Sequence, residues 1–172
     1  MSLNVKSRLE RWLKVWAFLA GGLAMQGAPV ELVPPTASWR MLPGLTEAST
    51  PDTTAWRRSG FQDSGWTSGV LPLSYGEGLG GTPITDMQNQ YTTYFVRTRF
   101  NLASAADVRD AVLQVACDDG FVAWINGQEV ARYNVPDGDL GIQSTALSAA
   151  PEPVEDLDYP VSNQASPLRT GE

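Results

Sequence analysis

The side chains able to do chemistry in this chain are few, and an absence limits them first. There is no histidine among the 172 residues. That removes serine–histidine and cysteine–histidine nucleophile systems, HExxH zinc proteases and histidine-ligated metals. Asp118 and Asp119 are adjacent carboxylates ahead of Gly120; at a turn they offer hard oxygens to calcium, helped by backbone carbonyls and Asn134. The same Asp-Asp-Gly string also serves as plain turn punctuation. As a glycosidase pair the two carboxylates would have to flank a sugar from opposed positions, which chain neighbours do not provide, so no catalytic residue is assigned. Tyr75, Tyr91 and Tyr133 offer flat faces on which sugar rings stack, and Arg132 and Asn134 are the groups that would orient hydroxyls beside them. Cys117 is the only cysteine, so no internal disulfide can form, and a lone thiol of this kind is expected to be buried and inert. Gly76, Gly78, Gly80 and Gly81 follow no buried strand and open no helix, which excludes the nucleotide-binding glycine fingerprints.

The elements that must position these residues read as strands. Residues 93–102 alternate, with Tyr94, Val96, Thr98, Phe100 and Leu102 on a core face and Arg97, Arg99 and Asn101 on a wet one. Residues 38–42 form a short strand, and 111–117 form another in which Leu113, Val115 and Cys117 share a face. The strongest local signal is Asn126-Gly127 between two apolar runs, because both positions accept the positive φ of a type I′ turn. That hairpin sets Ile125 against Gln128, Trp124 against Glu129, Ala123 against Val130 and Val122 against Ala131, and, carried on, Asp119 against Asn134. Asp63, Ser64 and Gly65 make a turn flanked by Phe61 and Trp66. Trp39, Trp56, Trp66, Phe95, Phe100 and Trp124 are read as core. After Ile142 the alternation fades, and Pro151, Pro153, Pro160 and Pro167 rule out a central strand.

The charge distribution bears on location and partners. The chain has a formal charge of -7, yet Lys6, Arg8, Arg11 and Lys14 against Glu10 make its start basic. An uncharged apolar run follows over residues 15–25, the pattern of a secretory signal peptide and too short for a comfortable membrane span. Residues 1–27 are therefore expected to be a helical signal peptide, with an uncleaved anchor or a packed N-terminal helix as the bland alternatives. Residues 28–36, with Pro29, Pro34 and Pro35, read as an extended linker, and residues 37–172 as one all-β antiparallel sandwich domain. Without the leader the domain is strongly acidic, which disfavours nucleic acid and anionic headgroups as partners. A secreted or cell-envelope location follows, with no stable membrane insertion after cleavage.

Four segments in order carry a resemblance: FQDSGW at 61–66, PLSYG at 72–76, YTTYF at 91–95, and DDGFVAWING at 118–127 followed by EVAR at 129–132. Together they resemble the galactose-binding-domain-like jelly roll of large secreted bacterial proteins, over about residues 39–136. The resemblance implies an accessory module set beside hydrolases, phosphoesterases, spore-coat-like kinases or lamin-tail domains, with carbohydrate as the presumed ligand. It lends support to calcium at Asp118 and Asp119, since related sugar-binding sandwiches use a similar pair. It also implies a closing strand that would begin about where this chain stops, hence a truncated module. The expected function is a non-catalytic accessory module of an exported protein that binds a polysaccharide or glycan. The alternative is a structural spacer or protein-interaction domain, and other domains of a larger secreted protein are its expected partners.

Overall fold

The computed structural model describes residues 2–5, 14–19, 30–76, 80–161 and 167–171. Its strands are β1 (Ser2–Val5), β2 (Lys14–Leu19), β3 (Val30–Val33), β4 (Trp39–Pro43), β5 (Thr67–Gly69), β6 (Leu73–Tyr75), β7 (Thr82–Ile84), β8 (Tyr94–Arg97), β9 (Val108–Val115), β10 (Asp119–Ile125), β11 (Gln128–Tyr133) and β12 (Leu157–Val161). Short 3₁₀ turns at Ala55–Arg57 and Ala105–Asp107 are the helical pieces among the described residues. The fold is all-β, as the alternating apolar runs require.

Six strands form an antiparallel sheet in the order β11-β10-β1-β8-β4-β5, and four form a second in the order β12-β9-β2-β3. β6 and β7 make a small parallel pair. Trp39, Met41, Val96 and Phe121 from the first sheet and Val33, Leu113 and Val115 from the second belong to one buried cluster, so the two sheets share a core. Neighbouring residues point to opposite faces of a strand. Phe95 therefore leaves Val96 in that core and joins a second cluster with Trp56 and Trp66, on which Phe61 and Trp124 pack. The segment between β4 and β5 lays these aromatics over the far face of the six-stranded sheet. All six aromatics read as core are buried or half-buried.

Several expectations change on contact with the fold. The described part of the leader is not helical: β1 and β2 are extended, and each takes an interior position in a sheet. The remainder of that leader, including its cleavage region, lies outside the described residues. Within the described part of the segment read as an extended linker, Val30–Val33 is a strand paired with β2 with Val33 buried, and a turn follows, closed by the Ala37 N–H on the Pro34 carbonyl. The last stretch does hold a strand, for β12 pairs with β9 at the rim of its sheet. Pro160 is tolerated there because an edge strand has one side free of ladder bonds, and the alternation of half-buried Leu157 and Tyr159 with exposed Asp158 and Pro160 was masked by the prolines around it. The hairpin forms with Asn126 and Gly127 both at positive φ, but a bulge at Ala123/Trp124 shifts the outer pairs to Ala123↔Ala131 and Val122↔Arg132. A bulge adds one residue to one strand and cannot be read from a turn signal.

Candidate binding site

The tyrosines and polar groups expected to hold a ligand are mostly engaged by the fold itself. Tyr91 is buried and donates a 2.6 Å hydrogen bond to Asp86 Oδ1. Burial, with that carboxylate beside it, drives its phenol well above the usual tyrosine range. Tyr133 is half-buried with its ring 6.3 Å from that of Phe121. Arg132 holds Glu129 through two charge-assisted bonds of 2.8 and 2.7 Å and also reaches the carbonyls of Pro136 and Gly138. Asn134 donates to the carbonyls of Asp119 and Ser148, at 3.1 and 2.6 Å. Tyr75 stands apart on β6, half-buried against the main core. Arg132, Tyr133 and Asn134 thus sit together at the end of β11, while Tyr75 and Tyr91 belong to other parts of the fold.

At the carboxylate pair, Asp119 is buried and its Oδ1 accepts the Ala150 N–H at 2.9 Å. Asn134 does come to Asp119, despite the shifted register, by its side chain rather than by strand pairing. Among the described residues no group of three His, Cys, Asp or Glu side chains could hold a metal ion. Cys117 is free and buried, and its thiol lies 3.3 Å from the Gly120 carbonyl.

A different part of the molecule forms a cavity of about 250 Å³. One wall is the shared core, with Val33, Trp39, Val96, Leu113 and Ala123; the other belongs to the outer aromatic layer, with Trp56, Arg57, Arg97 and Trp124. Arg58 and Arg99 stand at this wall too, and the described lining includes four arginines and no acidic side chain. Their counter-charges lie behind it. Arg97 and Arg99 share Asp63, at 2.9 and 3.2 Å; Arg57 meets Asp139 at 2.6 Å and Arg58 meets Asp52 at 2.8 Å. Arg97 also donates to the carbonyls of Trp56 and Arg58, which fixes the covering segment to β8. Burial pushes the Asp63 carboxyl up, but the hydrogen bonds from Arg97 and Arg99 outweigh that and hold it below the ordinary carboxylate range. Arg57 lies 4.2 Å over the Trp124 ring, and its Nε is buried with no hydrogen-bond partner among the described residues.

No family model, curated protein or solved structure matches this chain. The site therefore rests on its own chemistry: an aromatic and guanidinium wall facing an apolar one. Of the two arginines expected on a wet face, Arg99 is exposed there, whereas Arg97 is largely covered. What covers that face is the aromatic segment containing Phe61 and Trp66, and the signal was its density of aromatics opposite a strand bearing alternate arginines.

Proposed function

We propose that this chain is a non-catalytic module of an exported protein whose contacts are made with other polypeptides, on a jelly-roll scaffold of the galactose-binding-like kind. The single observation that carries this is the cavity between β8 and β10. Its lining joins core side chains of both sheets, Val33, Leu113 and Ala123 among them, to Trp56, Trp124 and four arginines. Supporting it, Tyr91, Arg132 and Asn134 are committed to hydrogen bonds within the fold, which leaves them little capacity to recognise a sugar. The jelly-roll assignment is supported by two antiparallel sheets sharing a core, and export by the basic start and apolar run of the leader.

A carbohydrate reading has one observation in its favour: Trp56 and Trp124 beside arginines is a composition suited to stacking and to fork-like bonding of hydroxyls or carboxylates. Tryptophan fluorescence separates the two, since both indoles line the cavity. Extended peptides should shift the emission and neutral or acidic oligosaccharides should leave it unchanged. Saturable quenching by an oligosaccharide alone would replace the peptide reading with the sugar one. A calcium titration run alongside, read as a change in melting temperature, tests Asp118 and Asp119 separately.

A further inference from the structure

The tip of the hairpin of β10 and β11 carries a side chain that the fold uses and that its own neighbour can attack. Asn126 is half-buried, and its side-chain amide donates a 2.9 Å hydrogen bond to the Pro167 carbonyl. That bond ties residues 167–171 to the hairpin. The same segment is held further along by Thr170 Oγ1, which accepts the Ala105 N–H at 3.0 Å, and by the Gly171 N–H, which donates to the Leu102 carbonyl at 2.8 Å. Leu168 is buried in the shared core. Gly127, by contrast, is exposed at the turn, with a φ of 84°. Of the six asparagines in the chain, Asn126 alone precedes a glycine. The order matters chemically, because a following residue without a Cβ leaves its backbone nitrogen sterically open to the asparagine side chain. Gly127 also lies between Ile125 and Gln128, the last pair of the ladder, so its N–H takes no part in that pairing.

We propose that Asn126 is a site of spontaneous deamidation, and that its conversion unties residues 167–171 from the hairpin. The Gly127 nitrogen gives up its proton and attacks Asn126 Cγ; the new C–N bond forms, the Cγ–Nδ2 bond breaks, and ammonia leaves. Water then opens the five-membered imide at either carbonyl. One opening leaves aspartate on the native main chain, the other isoaspartate with a methylene added to that chain. The balance is water taken up and ammonia released, with no oxidant or cofactor. The product cannot keep the tie. A carboxylate only accepts hydrogen bonds, so at position 126 it would face the Pro167 carbonyl acceptor to acceptor, in a half-buried setting where an unmade hydrogen bond is costly. The aspartate form leaves the hairpin itself intact, because Asp-Gly suits the same type I′ turn. The isoaspartate form lengthens the two-residue turn and disturbs the Ile125↔Gln128 pair as well. The inference does not depend on what the module contacts.

The test incubates the folded full chain in mildly alkaline buffer free of ammonia and maps its peptides by mass spectrometry. The mass increase of an amide-to-acid exchange should accumulate at residue 126 ahead of Asn89, Asn101 and Asn134. Amide hydrogen exchange on the Asn126→Asp variant reads the consequence. Protection should be lost at Ala105 and Gly171, whose N–H groups report the docked segment, and kept along β10 and β11. Asn126→Gly also suits the turn but removes the donor without adding charge, and should show the same loss; loss in Asn126→Asp alone would trace the release to the new charge. Conversion at residue 126 no faster than at the other three overturns the modification site. Unchanged protection at Ala105 and Gly171 in Asn126→Asp overturns the release, and so does protection lost along β10 and β11 with it, since the effect would then not be local to the tie.

Discussion

Asp63 ties the outer aromatic layer to the six-stranded sheet. Its carboxylate is buried, its turn is closed by the Trp66 N–H on its own carbonyl at 3.0 Å, and its two oxygens take Arg97 and Arg99. Removing one member of such a pair leaves the other charge buried and uncompensated. Asp63→Asn should therefore lower unfolding free energy by about 3 kcal/mol in denaturant titrations. The carboxyl is held below its ordinary value in the folded state, so its contribution is full at neutral pH. That contribution is lost as pH falls from about 3.9, the unfolded value, toward the lower folded one. The native chain should thus lose stability more steeply than Asp63→Asn across that acid window. Cys117 makes the opposite case at residue scale. Burial, with Asp118 and Asp119 nearby, pushes its thiol far above the usual cysteine range, and the thiolate is the reactive form. A thiol reagent at pH 8 should label it only on the timescale of unfolding, and full labelling of folded protein within seconds would contradict this burial.

The hairpin of β10 and β11 is the element most legible in the sequence, and its limits are instructive. Asn126-Gly127 specified the turn and the two pairs nearest it, because local backbone preference acts over that distance. The bulge beyond it depends on how the sheet twists over its core, which no local signal records. Gly120 shows the same limit. A Cβ there would lie 2.8 Å from the carbonyl oxygens of both Tyr133 and Asn134, so the close approach of the two strands requires glycine. Gly120→Ala should cost about 2 kcal/mol, in the range of other overpacking changes, and should raise exchange at the amides of residues 133–135 first. An unchanged melting curve would mean that the strands stand further apart than described. Strands with clean alternation, such as β9, were visible beforehand; β12 and β3 were not, since prolines at rim positions read the same as prolines in a loop. The cavity was invisible for a related reason: Arg97 looks solvated until the covering segment with Phe61 and Trp66 is placed above it, while Arg99 stays exposed.

At the scale of the whole molecule, the leader and the sheets make incompatible demands, and this decides a measurement. β1 sits between β8 and β10, and β2 between β9 and β3. Neither pair of flanking strands is joined by another ladder among the described residues. Cleavage after residue 27, as the basic start and apolar run suggest, would remove both interior strands at once and expose four strand edges over the shared core. Open edges of that kind pair with other chains. A chain lacking residues 1–27 should accordingly lose its cooperative thermal transition, bind a hydrophobic dye, and associate in sedimentation, while the full chain melts in one step. The intact mass of the exported protein then has a definite meaning. A mass retaining residues 1–27 would make β1 and β2 structural strands and end the signal-peptide reading. A cleaved yet monomeric and cooperatively folded product would require both interior positions to be refilled, and the pairing of β1 and β2 described above would not be that of the mature protein.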